Sequence, residues 1–136
     1  AFPGHALVLT GAVGERSALV KLAVELDPNR VLVLAGEQAI EESAATLAGA
    51  ACVIAPDTGV LHLAAALGVP VVGLYAPTFA ALVGPRGAGA RSFVIQKPQT
   101  CTPCIDKKCP YLPDNCMRQI SVDEVLGALA RNLAGR

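Results

Sequence analysis

The chain has 136 residues, the size of one domain, and its charges cancel to a formal net charge of zero. Charged residues make up only 16%, against about 25% in an average soluble domain. With no basic excess, 4% aromatic residues and no Trp, the composition argues against a nucleic-acid phosphate backbone or stacked bases as partners.

Taken in chain order, short apolar runs alternate with helical patterns. The start, AFPGHALVLTG, lacks the basic region of a signal peptide, and no apolar run reaches the roughly 18–20 residues that span a bilayer. The expectation is a cytoplasmic protein, and the abrupt opening reads as part of a longer one. ALVLT (6–10), VLVL (31–34), CVIA (52–55), PVVGLY (70–75) and SFVIQ (92–96) read as strands. They are continuous and rich in β-branched residues, as strands buried on both faces are. ERSALVKLAVEL (15–26), AIEESAATLAG (39–49) and TGVLHLAAALG (58–68) carry Leu and Ala at helical spacing, and the last two end on Gly. DPNR (27–30) is a turn that stops the first helix. This alternation predicts an α/β fold: a Rossmann-like, mostly parallel sheet of about five strands with helices on both faces. Residues 97–118 are a Cys- and Pro-rich loop. Residues 120–135 close the chain as a helix, with Ser121 and Glu124 at capping-box spacing and Gly135 at the far end.

The chemistry concentrates where the 52–55 strand hands over to a helix, in Pro56-Asp57-Thr58-Gly59. Ligands of open α/β sheets bind beyond the carboxyl ends of the strands. The first N–H groups of the following helix lack intrahelical acceptors and, with the helix dipole, form an anion site. Gly59 gives a phosphate room to approach, Thr58 offers a hydroxyl or a helix cap, and His62 lies about one turn in. Ala76-Pro77-Thr78, after the next strand, forms the neighbouring wall. The plainer reading is that Thr58 is only an N-cap, Asp57 a first-turn acid and His62 a semi-buried histidine. The loop GAVGERS (11–17) fits neither the dinucleotide fingerprint nor the P-loop.

The run DTGVLHLAAALGVPVVGLYAPT, from Asp57 to Thr78, closely resembles the hallmark of glycosyltransferase family 9, the ADP-heptose:lipopolysaccharide heptosyltransferases. VLTG, VLVLAG and CMRQISVDEVL look like members of the same family. The resemblance covers essentially the whole chain but only the later part of the family's length. It implies the C-terminal, donor-binding domain of a GT-B architecture. Residues 1–136 would form one nucleotide-sugar-binding domain, and the acceptor domain with its catalytic base would lie outside this chain.

Carried over residue by residue, the resemblance implies that Asp57 faces the donor sugar and that Thr58 and Gly59 cradle the diphosphate. His62 would support that loop, with Pro77 and Thr78 opposite. Glu15 would hydrogen-bond the ribose, and Gln38 would sit at the nucleobase edge. No catalytic residue is expected in this chain, and no cofactor is required for transfer. Ala76 stands where the family usually has Gly, and Glu37 where Lys is common, which removes a positive charge near the donor.

Cys101, Cys104, Cys109 and Cys116 give C-x2-C-x4-C-x6-C. Three readings stay open: metal ligands for a structural zinc or iron, reduced or redox-labile thiols, and disulfides. Cys52 reads as plain core.

The leading expectation is the donor-binding part of a glycosyltransferase. It would move a sugar, heptose by resemblance, from a nucleotide diphosphate to lipopolysaccharide core or a related envelope glycan. Such an enzyme would work in the cytoplasm, at the inner face of the bacterial inner membrane. The acceptor, lipid-linked or polysaccharide, would be met through the missing domain. The alternatives are a nucleotide-sugar epimerase of similar architecture and a non-catalytic nucleotide-binding or metal-clipped interaction module. In the pattern it resembles, a further strand lies between 6–10 and 52–55. Its absence predicts that these two strands pair directly, or that a homo-oligomer fills the gap through exposed strand edges.

Overall fold

The structure, a computed structural model, describes residues 2–87, 91–97, 101–104, 109, 111 and 115–135. Its strands are β1 (Leu7–Leu9), β2 (Val31–Val33), β3 (Val53–Pro56), β4 (Val71–Tyr75) and β5 (Ser92–Gln96). Its helices are α1 (Arg16–Val24), α2 (Ile40–Ala48), α3 (Gly59–Ala66), α4 (Ala80–Val83) and α5 (Val122–Ala134). The expected α/β class with parallel strands holds. Every expected strand forms, each within two residues of its sequence-read bounds. The short α4 and the 3-10 turns at Val13–Glu15 and Cys116–Gln119 were not foreseen. Residues 98–100, 105–108, 110 and 112–114 of the Cys-rich loop lie outside the described residues.

The chain divides into two compact units, residues 1–43 and 44–136. In the first, β1 and β2 pair in parallel, Leu7 opposite Val31 and Leu9 opposite Val33. The DPNR turn forms as expected: Asp27 Oδ1 accepts from the Asn29 amide at 3.0 Å, and the Arg30 amide bonds the Asp27 carbonyl. Gly36 has φ +73°, and a Cβ there would meet the Val13 backbone at 2.8 Å. Both the left-handed backbone and the close approach call for glycine.

In the second unit β4 is central, with β3 and β5 parallel on either side. Val71, Gly73 and Tyr75 point to one face, Val72 and Leu74 to the other. On the first face Leu61, Ala64 and Ala65 of α3 pack with Leu47, Val53, Ala55, Val69, Val71 and Tyr75 into the core. A Cβ on Gly73 would meet the Tyr75 ring at 2.9 Å and Leu61 at 3.1 Å, so this glycine is the space in which the ring lies. On the other face Leu74 adjoins Val125 and Leu126 of α5, and Arg131 stacks 4.8 Å from the centre of the Phe93 ring. The Ser121–Glu124 capping box forms in both directions, at 3.2 and 2.9 Å. Buried Asn132 ties α5 to the sheet: its Nδ2 donates to the Val71 carbonyl at 3.1 Å and to Cys52 Sγ at 3.3 Å. Cys52 is therefore half-buried and hydrogen-bonded rather than plain core.

The strands form two sheets, β1-β2 and β3-β4-β5, and among the described residues β1 pairs only with β2.

Candidate functional site

The second unit brings four side chains together at the carboxyl ends of β3 and β4. Asp57 follows β3 and is the hub. Its Oδ1 meets His62 Nε2 at 3.1 Å and accepts from the Tyr75 hydroxyl at 3.3 Å, and its Oδ2 accepts from Thr78 Oγ1 at 2.8 Å. Partial burial works to raise the Asp57 pKa, but the hydrogen bonds from His62, Thr78 and Tyr75 outweigh it and hold the carboxyl below its usual 3.8. The Tyr75 ring is fully buried. Burial first, and then the Asp57 charge and hydrogen bond, push its hydroxyl up to about 12. At neutral pH Tyr75 is therefore a proton-bearing donor and Asp57 an ionised acceptor.

Local sequence explains the placement. Thr58 has extended backbone, φ −142° and ψ 162°, so it occupies the N-cap position of α3. Its hydroxyl does not cap the helix as the plainer reading expected; it turns back toward the Pro56 carbonyl at 3.4 Å. The first amides of α3 are thus left uncovered by that side chain. Gly59 meets nothing within 4 Å of a would-be Cβ. It is glycine for no internal packing reason, and the space above it is open.

The neighbouring wall is held from behind. The Thr78 carbonyl accepts from Gln96 Nε2 at 2.7 Å, and the Ala80 amide donates to Gln96 Oε1 at 3.3 Å. The Cys-rich segment reaches the same loop. The Cys104 amide bonds the Pro77 carbonyl at 2.7 Å, and Thr102 Oγ1 donates to the Ala76 carbonyl at 3.4 Å. Asp57, His62 and Thr78 are thus joined directly; Thr58 and Gly59 adjoin Asp57, and Pro77 adjoins Thr78.

Glu15 and Gln38 lie in the first unit. Glu15 closes a local turn, its Oε2 accepting from the Ala12 amide at 2.8 Å. Gln38 Nε2 donates to the Glu42 carbonyl at 3.4 Å. Glu37 is not a lone negative charge: Arg16 meets it at 2.6 Å and also donates to the Ala35 carbonyl.

The four clustered cysteines are free thiols, so no disulfide links them. Among the described residues no three His, Cys, Asp or Glu side chains gather into a group that could hold a metal. Among the described residues no helix is long and apolar enough to cross a membrane. An apolar groove of about 230 Å³ lies on the α5 side, lined by Leu74, Met117, Ile120 and Val125 among others. Only Ser121 in its lining is polar, which does not suit a diphosphate.

Three residues of this arrangement escaped the sequence reading. Tyr75 ends an apolar strand in a chain with few aromatics, and its position just before Ala-Pro-Thr was the available signal. Gln96 is a polar residue at the end of SFVIQ. Arg16 follows Glu15 in a loop too weakly patterned to single it out.

Residues 3–114 match the profile of glycosyltransferase family 9 (heptosyltransferase). The chain belongs to this family. Over 103 residues it is 37% identical to lipopolysaccharide heptosyltransferase 1 of Pseudomonas aeruginosa, an alignment covering 76% of this chain and 28% of that protein. The fold matches E. coli ADP-heptose lipopolysaccharide heptosyltransferase II with a TM-score of 0.79 at 22% identity, over 98% of this chain and 38% of the other. It also matches the E. coli heptosyltransferase WaaC, solved with ADP, with a TM-score of 0.73 at 28% identity, over 96% of this chain and 35% of the other. This chain therefore spans between a quarter and two fifths of the length of these relatives.

Proposed function

We propose that this chain is the donor-binding part of a glycosyltransferase that moves heptose from a nucleotide diphosphate to lipopolysaccharide core or a related envelope glycan. One observation carries the reading. In a family 9 chain, the acid-hydroxyl-glycine turn stands at the carboxyl end of β3 with open space over Gly59, and Asp57 is tied to the wall beside it. The ADP of the solved E. coli relative supports an adenine diphosphate donor here.

In this reading the first amides of α3 and the Thr58 hydroxyl take the phosphate oxygens, which the helix dipole favours. Asp57 is not a proton acceptor for the reaction. Both its oxygens are engaged and its carboxyl is held ionised, so it orients the turn and presents charge toward the sugar. Glu15 and Gln38 contribute the ribose and base contacts, and residues 1–136 work as one nucleotide-sugar-binding domain. The catalytic base and the acceptor contacts come from outside this chain. The enzyme works in the cytoplasm against the inner membrane, where a lipid-linked acceptor is presented. Exposed strand edges would let a second copy associate. A zinc or iron clip at Cys101, Cys104, Cys109 and Cys116 would require the thiols to close around the ion, and metal content of the purified chain decides it.

The test is an ADP titration by calorimetry. Gly59→Val places a side chain in the phosphate approach without meeting any neighbour, so the fold should persist while affinity falls roughly tenfold or more. Equal affinity in wild type and Gly59→Val removes the site.

A further inference from the structure

We propose that Gln96 is a positioning residue for this site, setting the Ala76-Pro77-Thr78 wall so that Thr78 closes on Asp57. Gln96 is the last residue of β5 and stands opposite Tyr75 in the parallel register, on the face that carries the core and the site. Its side chain holds the loop after β4 at two points. Nε2 donates to the Thr78 carbonyl at 2.7 Å, and Oε1 accepts from the Ala80 amide at 3.3 Å. The backbone is thus gripped on both sides of Phe79. Thr78 in turn donates to Asp57 Oδ2 at 2.8 Å. A continuous line of hydrogen bonds therefore runs from the end of β5, through the loop after β4, to the turn after β3. The inference rests on the nucleotide reading only for what the site binds; the clamp itself is a matter of geometry.

The chemistry of the clamp is specific. A primary amide is at once donor and acceptor, and both capacities are used. A carboxylate of the same length accepts from Ala80 but cannot donate to the Thr78 carbonyl, and it sets charge against that oxygen. A protonated carboxyl can do both. Gln96→Glu should therefore fail near neutral pH and recover as the new carboxyl takes up its proton, toward about pH 5 and below. The ionisable and charged groups around this position are Asp57, His62 and Tyr75 at the site, Lys97 next to it in the chain, and Asp123, Glu124 and Arg131 of α5. All are common to wild type and variant, as is the nucleotide. The ratio of the two affinities at each pH isolates the Gln96→Glu carboxyl.

The experiment uses the full chain, with ADP titration and amide hydrogen exchange on wild type, Gln96→Ala and Gln96→Glu. In Gln96→Ala, loss of the clamp should weaken ADP binding roughly three- to tenfold, the worth of about one net hydrogen bond. Exchange of the Ala80 amide should quicken by a similar factor. Gln96→Glu should show the same weakening near neutrality and approach wild type on acidification. Unchanged Ala80 exchange in both variants overturns the clamp, as does a Gln96→Glu deficit that does not shrink with pH. If wild type binds no ADP, the nucleotide reading fails. The Ala80 exchange rate then still decides the clamp, faster exchange supporting it and unchanged exchange overturning it.

Discussion

Leu32 in β2 and Val71, Val72 and Tyr75 in β4 belong to equally apolar strands, but Leu32 keeps 53% of its surface exposed while the three in β4 are completely buried. β4 has a strand on each side, α3 over one face and α5 over the other. Among the described residues β2 has one strand partner, and α1, despite its Leu and Ala spacing, contributes no buried residue. An apolar strand is only the capacity to form a core. Burial, at roughly 25 cal/mol per Å² of apolar surface, is realised only when other elements supply cover. The candidate site grows from the covered sheet, and its polar line from Gln96 to Asp57 lies along strand ends that packing holds still.

The sharpest way to break this comparison is a matched pair of truncations. Leu61→Ala, at a fully buried position of α3, should cost about 2–5 kcal/mol in urea unfolding, whereas Leu32→Ala should cost under about 1 kcal/mol. Equal costs would mean that the first unit is as well packed in solution as the second. Glycines give a smaller contrast. Gly73→Ala drives a Cβ into the Tyr75 ring and Leu61 and should cost about 1–3 kcal/mol, while Gly14→Ala, with nothing within 4 Å, should stay within about 0.5 kcal/mol.

Acidification probes the second unit through its carboxylates. Lys97, and then Ser121, hydrogen-bond Glu124 and lower its pKa from 4.5 to about 2. A depressed carboxyl stabilises the fold above its unfolded value and loses that contribution as protons bind the folded form. The urea midpoint should therefore fall as pH drops from 4.5 toward 2, with Asp57 adding to the fall below 3.8. Glu124→Gln should flatten the upper part of that decline; an unaltered slope would remove Glu124 as its source. The smallest effect belongs to the first unit. A double-mutant cycle on the half-exposed Arg16–Glu37 pair should return about 0.2–1 kcal/mol, fading in molar salt.

Much of the fold was legible because periodicity is local. Val53-Ile54-Ala55 and Val71 to Tyr75 announce buried parallel strands, Ser121 and Glu124 announce a helix start, and Gly68, at φ +78°, a helix end. The Asp57–Gly59 turn was legible because its residue types and spacing carry the family resemblance. Which strands share a sheet was not, since pairing joins residues distant in the chain and depends on tertiary packing. The role of the cysteines was not legible either. Their spacing permits a metal cluster, but whether four thiols converge depends on the path of the loop between them.

The sequence by itself determined the α/β class, the strand and helix positions and the location of the acid-hydroxyl-glycine turn, because each rests on residues within one or two turns of one another. Only the tertiary structure decided that Asp57 is saturated by His62, Tyr75 and Thr78, that Thr58 leaves α3 uncapped, and that Gln96 holds the opposite wall. Those contacts join residues as far apart as 18 and 21 positions, at the ends of three different strands. Parallel neighbours are brought side by side by the sheet register, and the register follows from packing helices onto both faces of β4, a property no short stretch of the chain contains.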